Sequence, residues 1–276
     1  MKKKILALFL SAITVASLVA CGGGKATPES RAAGESTVEK SEGAQSNDNA
    51  QGVAVINDGK LIVATNAEFP PYEYHEENKI VGIDIEIADA IAKKMGLELE
   101  IEDIDFDSVI LEVTSGKADI GMAGISATEE RKQSVDFSDT YTTTTQLVIV
   151  KEDSAIAKAD ELEGKTIGVQ TGTTGDILAS DIKDATVERY SKGMDAVQAL
   201  SQGKIDAVVI DSEVAKRFVS DNTGLKLLDE AYATEEYAIA VKKGNTEMLN
   251  AINKALADLK ADGTVDKIIA KYIKAE

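Results

Sequence analysis

The pattern Val113-Thr-Ser-Gly-Lys-Ala-Asp119 recurs as Leu200-Ser-Gln-Gly-Lys-Ile-Asp206. Each copy reads as a helix end, a glycine stop and the first residue of an apolar strand. Five positions past the aspartates, one copy carries Gly124 and the other Asp211. A second pair stands upstream in the same order: the run Lys60–Ala64 with its loop, and Lys165–Val169 with its loop. Gly-Lys-x-Asp before a strand is a common join by itself. Two pairs in matching order predict one architectural unit built twice. Strands and helices alternating over short links give an α/β chain, each unit a mostly parallel sheet flanked by helices.

The 276 residues suffice for two modest domains. In the first half, Ile83, Ile87, Ile91 and Met95 recur at helical spacing before Gly96, Leu97–Ile101 alternates as a strand, and Asp107 is placed to cap a short helix ending at Gly116. Tyr141–Val150 is long and rich in β-branched residues, so it is expected to cross from one domain to the other. Tyr237–Val241 is the expected return, with hinges near Thr144 and Ala238. Asn245 caps a long amphipathic helix closed by Gly263. The boundaries that follow are 58–146 with 239–276 for lobe 1 and 147–238 for lobe 2.

The formal charge is −18 and there is no Trp, which disfavours a nucleic-acid surface. Lys2–Lys4, the apolar run Ile5–Ala16 and Leu18-Val-Ala-Cys21 read as a signal peptide over 1–20 with the approach to a cysteine seen in bacterial lipoproteins. Its removal takes three lysines and no acid, leaving −21. Cys21, the only cysteine, excludes an internal disulfide and is the expected lipid attachment. Residues 21–57, rich in Gly, Ser, Ala, Glu and Asn, read as a flexible tether with a reach on the order of 30 Å. The expected location is extracytoplasmic, on the cell membrane.

Asp119–Arg131 reads as a strand, a small-residue turn and a helix start capped by Thr128. That sequence puts Arg131 in a first helical turn, where the macrodipole disfavours a cation unless an anion binds beside it. Gly124 and Ser126 allow close approach, and a guanidinium grips a carboxylate through two parallel bonds. In open parallel sheets ligands bind beyond the carboxyl ends of the strands, where Phe69, Gly124, Ser126, Arg131, Thr171–Thr174 and Asp211 fall. Arg131 and Asp211 would offer opposite charges to a small zwitterion, with Ser126, Thr173 and Thr174 completing the hydrogen bonds. Phe69, Phe106 or Tyr72 would cover its aliphatic part.

From Lys60 onward the chain resembles the amino-acid-binding family of bacterial solute-binding proteins that serve ATP-driven importers. The resemblance rests on Phe69-Pro-Pro-Tyr72, Val81-Gly-Ile-Asp-Ile-Glu86, Asp105-Phe106, Gly121–Arg131, Val135-Asp-Phe-Ser138, Gly168–Thr174 and Ile205–Asp211. It implies a periplasmic-binding-protein-like type II fold, two lobes joined by two hinge strands and closing on one free amino acid. It assigns the carboxylate to Arg131 with Ser126 and Thr174, the ammonium to Asp211 with Gly124, and the walls to Phe69 and Phe106. Gln170 and Ile210 stand at variable wall positions. Asn66 replaces an acid common in members that take cationic amino acids, and Glu68 is the nearby alternative source of that charge. The implied partners are a permease and ATPase; the protein is expected to be a monomer without cofactor or metal. Two other functions stay open, a dehydratase acting on cyclic precursors of aromatic amino acids, with Glu68 or the lone His75 as acid, and an amino-acid sensor.

Overall fold

The computed structural model describes residues 53–274, which all fall in one compact unit. The expected signal peptide, Cys21 and most of the tether lie outside the described residues. Order begins earlier than expected. Val53 and Val55 pack against the core, and the Ile56 N–H donates to Asp119 Oδ1 at 2.9 Å.

The chain opens with β1 (Lys60–Thr65) and a small antiparallel sheet of β2 (Glu68–Phe69), β3 (Glu73–Glu76) and β4 (Lys79–Val81). These strands are too short to show a period of two. Helix α1 (Ile83–Met95) stops at Gly96 in the left-handed conformation, as its spacing predicts. Then come β5 (Glu98–Asp103), a 3-10 turn over Phe106–Ser108, α2 (Val109–Ser115), β6 (Ile120–Gly121) and β7 (Val135–Phe137). Asp107 sits inside the 3-10 turn and caps nothing. The second half runs β8 (Thr142–Lys151), β9 (Thr166–Gln170), α3 (Thr174–Ser180), β10 (Thr186–Tyr190), α4 (Gly193–Ser201), β11 (Ala207–Asp211), α5 (Ser212–Asp221), β12 (Leu225–Leu227) and β13 (Ala233–Tyr237). β14 (Ala240–Lys242), α6 (Thr246–Ala261) and α7 (Thr264–Tyr272) return to the first half.

Two sheets result, one per lobe. The first has the order β5-β1-β6-β14-β7 and the second β10-β9-β11-β8-β12, with β13 also on β8. Both are mixed. They are parallel through β5-β1-β6 and β10-β9-β11, and antiparallel where β14, β7, β8, β12 and β13 join.

The expected crossing along β8 is corrected. One edge of this strand pairs with β11, and the other carries β13 along Thr142–Gln146 and β12 along Ile149–Lys151. Its length serves two partners within one sheet. Thr144 therefore lies inside the second sheet, and the chain passes between sheets at Ser138–Tyr141 and at Ala238–Ile239.

The core explains why these strands read as continuous apolar runs. Successive residues point to opposite faces: Leu61 and Val63 join one cluster, Ile62 and Ala64 another. In the second sheet Val148 and Val150 separate from Leu147 and Ile149 in the same way. Both faces are covered by helices, so both must be apolar, and each buried Leu or Ile contributes about 1.5–3 kcal/mol. The largest cluster runs through both lobes by way of Phe69, Tyr72, Tyr141 and Tyr237, with Tyr72 edge-on to Tyr237 at 5.2 Å between centroids.

Candidate functional site

The repeated pattern has one visible job. The Asp119 N–H donates to Ile62 O at 2.9 Å, and its Oδ2 accepts the Ile62 N–H at 2.8 Å. Asp206 does the same to Thr166, with both distances 2.8 Å. Each aspartate thus locks the strand after the helix onto its neighbour and sets the residue five positions on at the strand's carboxyl end.

In the first lobe that residue is Gly124. Its φ of +55° suits glycine, and a Cβ there would come within 2.9 Å of the Phe69 ring. The following turn is held by Thr128, whose hydroxyl accepts the Arg131 N–H at 3.2 Å. The expected helix from Glu129 is a 3-10 turn over Arg131–Gln133. In the second lobe the loop after β9 turns at Gly172, whose N–H donates to Asp176 Oδ2 at 3.0 Å. Thr173 caps α3, accepting the Asp176 N–H at 3.3 Å while donating to Gln170 O at 2.8 Å.

These loops meet across a narrow pocket. The first lobe contributes Asn66, Phe69, Phe106 and Gly124, the second Gln146, Gln170, Thr173, Thr174 and Glu235, with Tyr237 at the crossing. Direct bonds hold the lobes together around it. Gln170 Nε2 donates to Asn66 Oδ1 at 2.8 Å, Thr174 Oγ1 to Ser126 Oγ at 3.0 Å, and Arg131 Nη2 to Gly172 O at 2.9 Å. Lys192 and Glu68 form an ion pair at the rim.

Arg131 is half-buried. Its guanidinium lies 5.4 Å from the Phe106 centroid, a cation–π contact, and Nη1 donates to Ser126 O at 2.9 Å. Burial draws its pKa down, opposed by the negative charge of Glu235. Three of its five N–H groups remain for a ligand.

Asp211, the expected ammonium partner, lies behind the pocket-lining Tyr237, whose hydroxyl reaches it. It is fully buried and absent from the pocket lining. Oδ1 accepts the Glu213 and Val214 N–H groups at 2.8 and 3.1 Å, capping α5, while Oδ2 accepts Thr144 Oγ1 at 2.5 Å and the Tyr237 hydroxyl at 2.9 Å. Burial pushes its pKa up to about 7 against those four donors. The acid that does face the pocket is Glu235, which the sequence reading missed. It accepts from Ser126 Oγ, Gln146 Nε2 and, at 3.4 Å, the Tyr237 hydroxyl. Ala233–Tyr237 alternates, and its inward face consists of Glu235 and Tyr237.

Other expected residues divide. Tyr72 and Ile210 belong to the core and do not line the pocket. The Thr171 hydroxyl turns away to Tyr190 O at 3.1 Å. Glu68 is neutralised by Lys192, and His75 pairs with Asp103 at an exposed position, 2.8 Å apart. Among the described residues no cluster of His, Cys, Asp or Glu is arranged to hold a metal ion.

Residues 61–275 match the family described as bacterial extracellular solute-binding proteins, family 3. The chain belongs to this family. The arginine-binding extracellular protein ArtP of Bacillus subtilis is 35% identical over 223 residues, 79% of this chain and 87% of that protein. The solved structure of an ancestral arginine-binding protein bound to arginine is 44% identical, covers 78% of this chain and 98% of its own, and superposes with a TM-score of 0.74. The ancestral amino-acid-binding protein AncCDT-1, a precursor of cyclohexadienyl dehydratase, is 35% identical, covers 78% and 96%, and has a TM-score of 0.73. The two-lobed periplasmic-binding-protein-like fold of this family is the fold found here.

Proposed function

We propose that the protein is the lipid-anchored substrate-binding component of an ATP-driven importer, taking a polar amino acid outside the cytoplasm and handing it to a permease. The observation that carries the ligand class is the pocket between the lobes, lined by Glu235, with Arg131 beside it over the Phe106 ring and joined to Glu235 through Ser126. The ligand carboxylate would replace the Gly172 carbonyl on Arg131, turning a direct bond between lobes into one bridged by the ligand, with Ser126 and Thr174 assisting. The ammonium would lie on the acid side, Glu235 in front and Asp211 behind it through Tyr237. Phe69 and Phe106 form the walls for its aliphatic part, and Asn66, Gln146 and Gln170 give the far end a polar lining. We place the lobe limits at the crossings, near Ser138–Tyr141 and Ala238.

Calorimetry with the twenty amino acids and L-cystine tests this reading. Wild-type protein should bind one class near micromolar, about −8 kcal/mol. Arg131→Ala should weaken binding by about 3–5 kcal/mol, since a carboxylate in the closed pocket would lose its partner. Unchanged binding would end the proposal. The dehydratase reading has no support from its two candidate acids, since Glu68 is paired with Lys192 and His75 lies on the surface. Loss of substrate absorbance on incubation with a cyclohexadienyl precursor would restore it.

A further inference from the structure

Behind the ligand turn lies a pair of acids that the proposed function does not use. Asp84, in the first turn of α1, and Glu73, on β3, are both fully shielded from solvent. Asp84 Oδ2 accepts the Gly124 N–H at 2.8 Å and the Tyr141 hydroxyl at 2.7 Å. Gly124 leads into the turn carrying Ser126. Tyr141 is the last residue before β8, at the first crossing between lobes, and its own N–H donates to Tyr237 O at 2.9 Å. One carboxylate oxygen thus holds both the turn that lines the pocket and the chain where it passes between lobes.

The other three oxygens of the pair tell a different story. Asp84 Oδ1 and both Glu73 oxygens are buried without any donor. The Asp84 N–H donates to Tyr72 O at 2.9 Å, which sets Glu73, the next residue, beside Asp84, and each carboxyl acts on the other. Two ionised carboxylates would repel there, whereas one proton between them makes a strong charge-assisted bond. The surroundings decide which acid keeps it. Burial raises the Asp84 pKa too, but its two donors, Glu73 and the first turn of a helix all favour its negative charge. Glu73 faces Asp84, with Asp211 and Asp103 adding negative charge and Tyr141 donating to Asp84 from the other side. Burial, then Asp84, raise the Glu73 pKa well above the ordinary carboxylate range.

We propose that Glu73 is protonated at neutral pH and donates to Asp84 Oδ1, and that Asp84, held ionised by this bond, is the positioning residue for the Gly124–Ser126 turn. The positioning role rests on the pocket being the amino-acid site; the shared proton does not. Because the folded protein keeps a proton that the unfolded chain releases, the stability from Glu73 is complete below pH 4.5 and is lost as pH rises through the raised value. Ligand affinity should fall as pH rises through that raised value, as the second charge drives the pair apart.

Three variants test this: Glu73→Gln, whose amide can still donate to Asp84, Glu73→Ala and Asp84→Ala. Infrared difference spectra of the wild type should show a protonated carboxyl band at neutral pH that Glu73→Gln lacks. With L-arginine and L-glutamine as probes, affinity should fall from neutral to strongly alkaline pH at least about tenfold further in the wild type than in Glu73→Gln, whose own fall reflects loss of the ligand's ammonium proton. Glu73→Ala and Asp84→Ala should each lose about tenfold or more already at pH 7. A missing band, an identical alkaline fall in Glu73→Gln, or a folded Asp84→Ala with unchanged affinity would overturn the proposal. If Asp84→Ala does not fold, the pH profiles of the other two decide. If neither probe binds the wild type, the band and the pH dependence of thermal unfolding, compared between wild type and Glu73→Gln, judge the shared proton alone.

Discussion

The two lobes use one seven-residue pattern and differ in what stands five positions beyond it. In the first lobe Gly124 presents bare backbone to the pocket, its missing side chain filled by the Phe69 ring. In the second, Asp211 turns inward, caps α5 and is screened from the pocket by Tyr237. The same strand end can therefore offer contact to a ligand or anchor the helix that follows. What decides is whether the next residues turn back as a loop, as Gly124–Thr128 does, or enter a helix at once, as Ser212 does.

The comparison breaks most sharply at Asp211. Asp211→Ala removes the acceptor of four hydrogen bonds and should cost about 3–5 kcal/mol in denaturant unfolding. Asp211→Asn isolates its charge. Burial lifts this carboxyl from 3.8 to about 7, so the folded protein holds a proton that the unfolded chain has released, and its stabilising contribution falls as pH rises across that window. The variant lacks this loss, so its stability relative to wild type should improve from about pH 4 to about pH 7 and then level off. A constant difference would mean that Asp211 does not titrate there.

Gly124→Ala is the matching change in the first lobe. A left-handed alanine and displacement of Phe69 together should cost about 2–4 kcal/mol and weaken ligand binding, whereas a fully tolerated methyl would deny that bare backbone is what this lobe presents. The repeated aspartates sharpen the comparison at smaller scale. Asp119 is buried and accepts two amides, while Asp206 is exposed and accepts one. Thermal unfolding should show Asp119→Ala costing about 1–3 kcal/mol and Asp206→Ala about 0.5–1 kcal/mol. The smallest effect belongs to Lys192→Ala at the rim, where an exposed ion pair between lobes contributes at most about 1 kcal/mol and should weaken further in high salt.

Much of the fold was legible because its signals are local. Gly96 ends α1, Asn245 caps α6 by accepting the Met248 N–H at 3.2 Å, and both Gly-Lys-x-Asp joins sit between helix and strand. The site was legible in part. Phe69, Phe106, Gly124, Gln170, Thr173 and Thr174 do line one pocket, whereas Ser126 and Arg131, like Asp211, are not among its lining residues, Arg131 lying over the Phe106 ring. Glu235 was not found because its partners are remote, Ser126 at 109 residues and Gln146 at 89. The length of β8 suggested a crossing because a strand's partners cannot be read from its own residues.

By itself the sequence determined the repeated strand–helix units, their caps and the residue types gathered at the strand ends, since propensity, capping and alternation act over a few residues. Only the tertiary structure decided which acid faces the pocket, which carboxyl keeps a proton and where the chain passes between sheets. Those outcomes depend on burial and on partners brought together from distant parts of the chain, and a buried charge takes its character from neighbours that local spacing does not reveal.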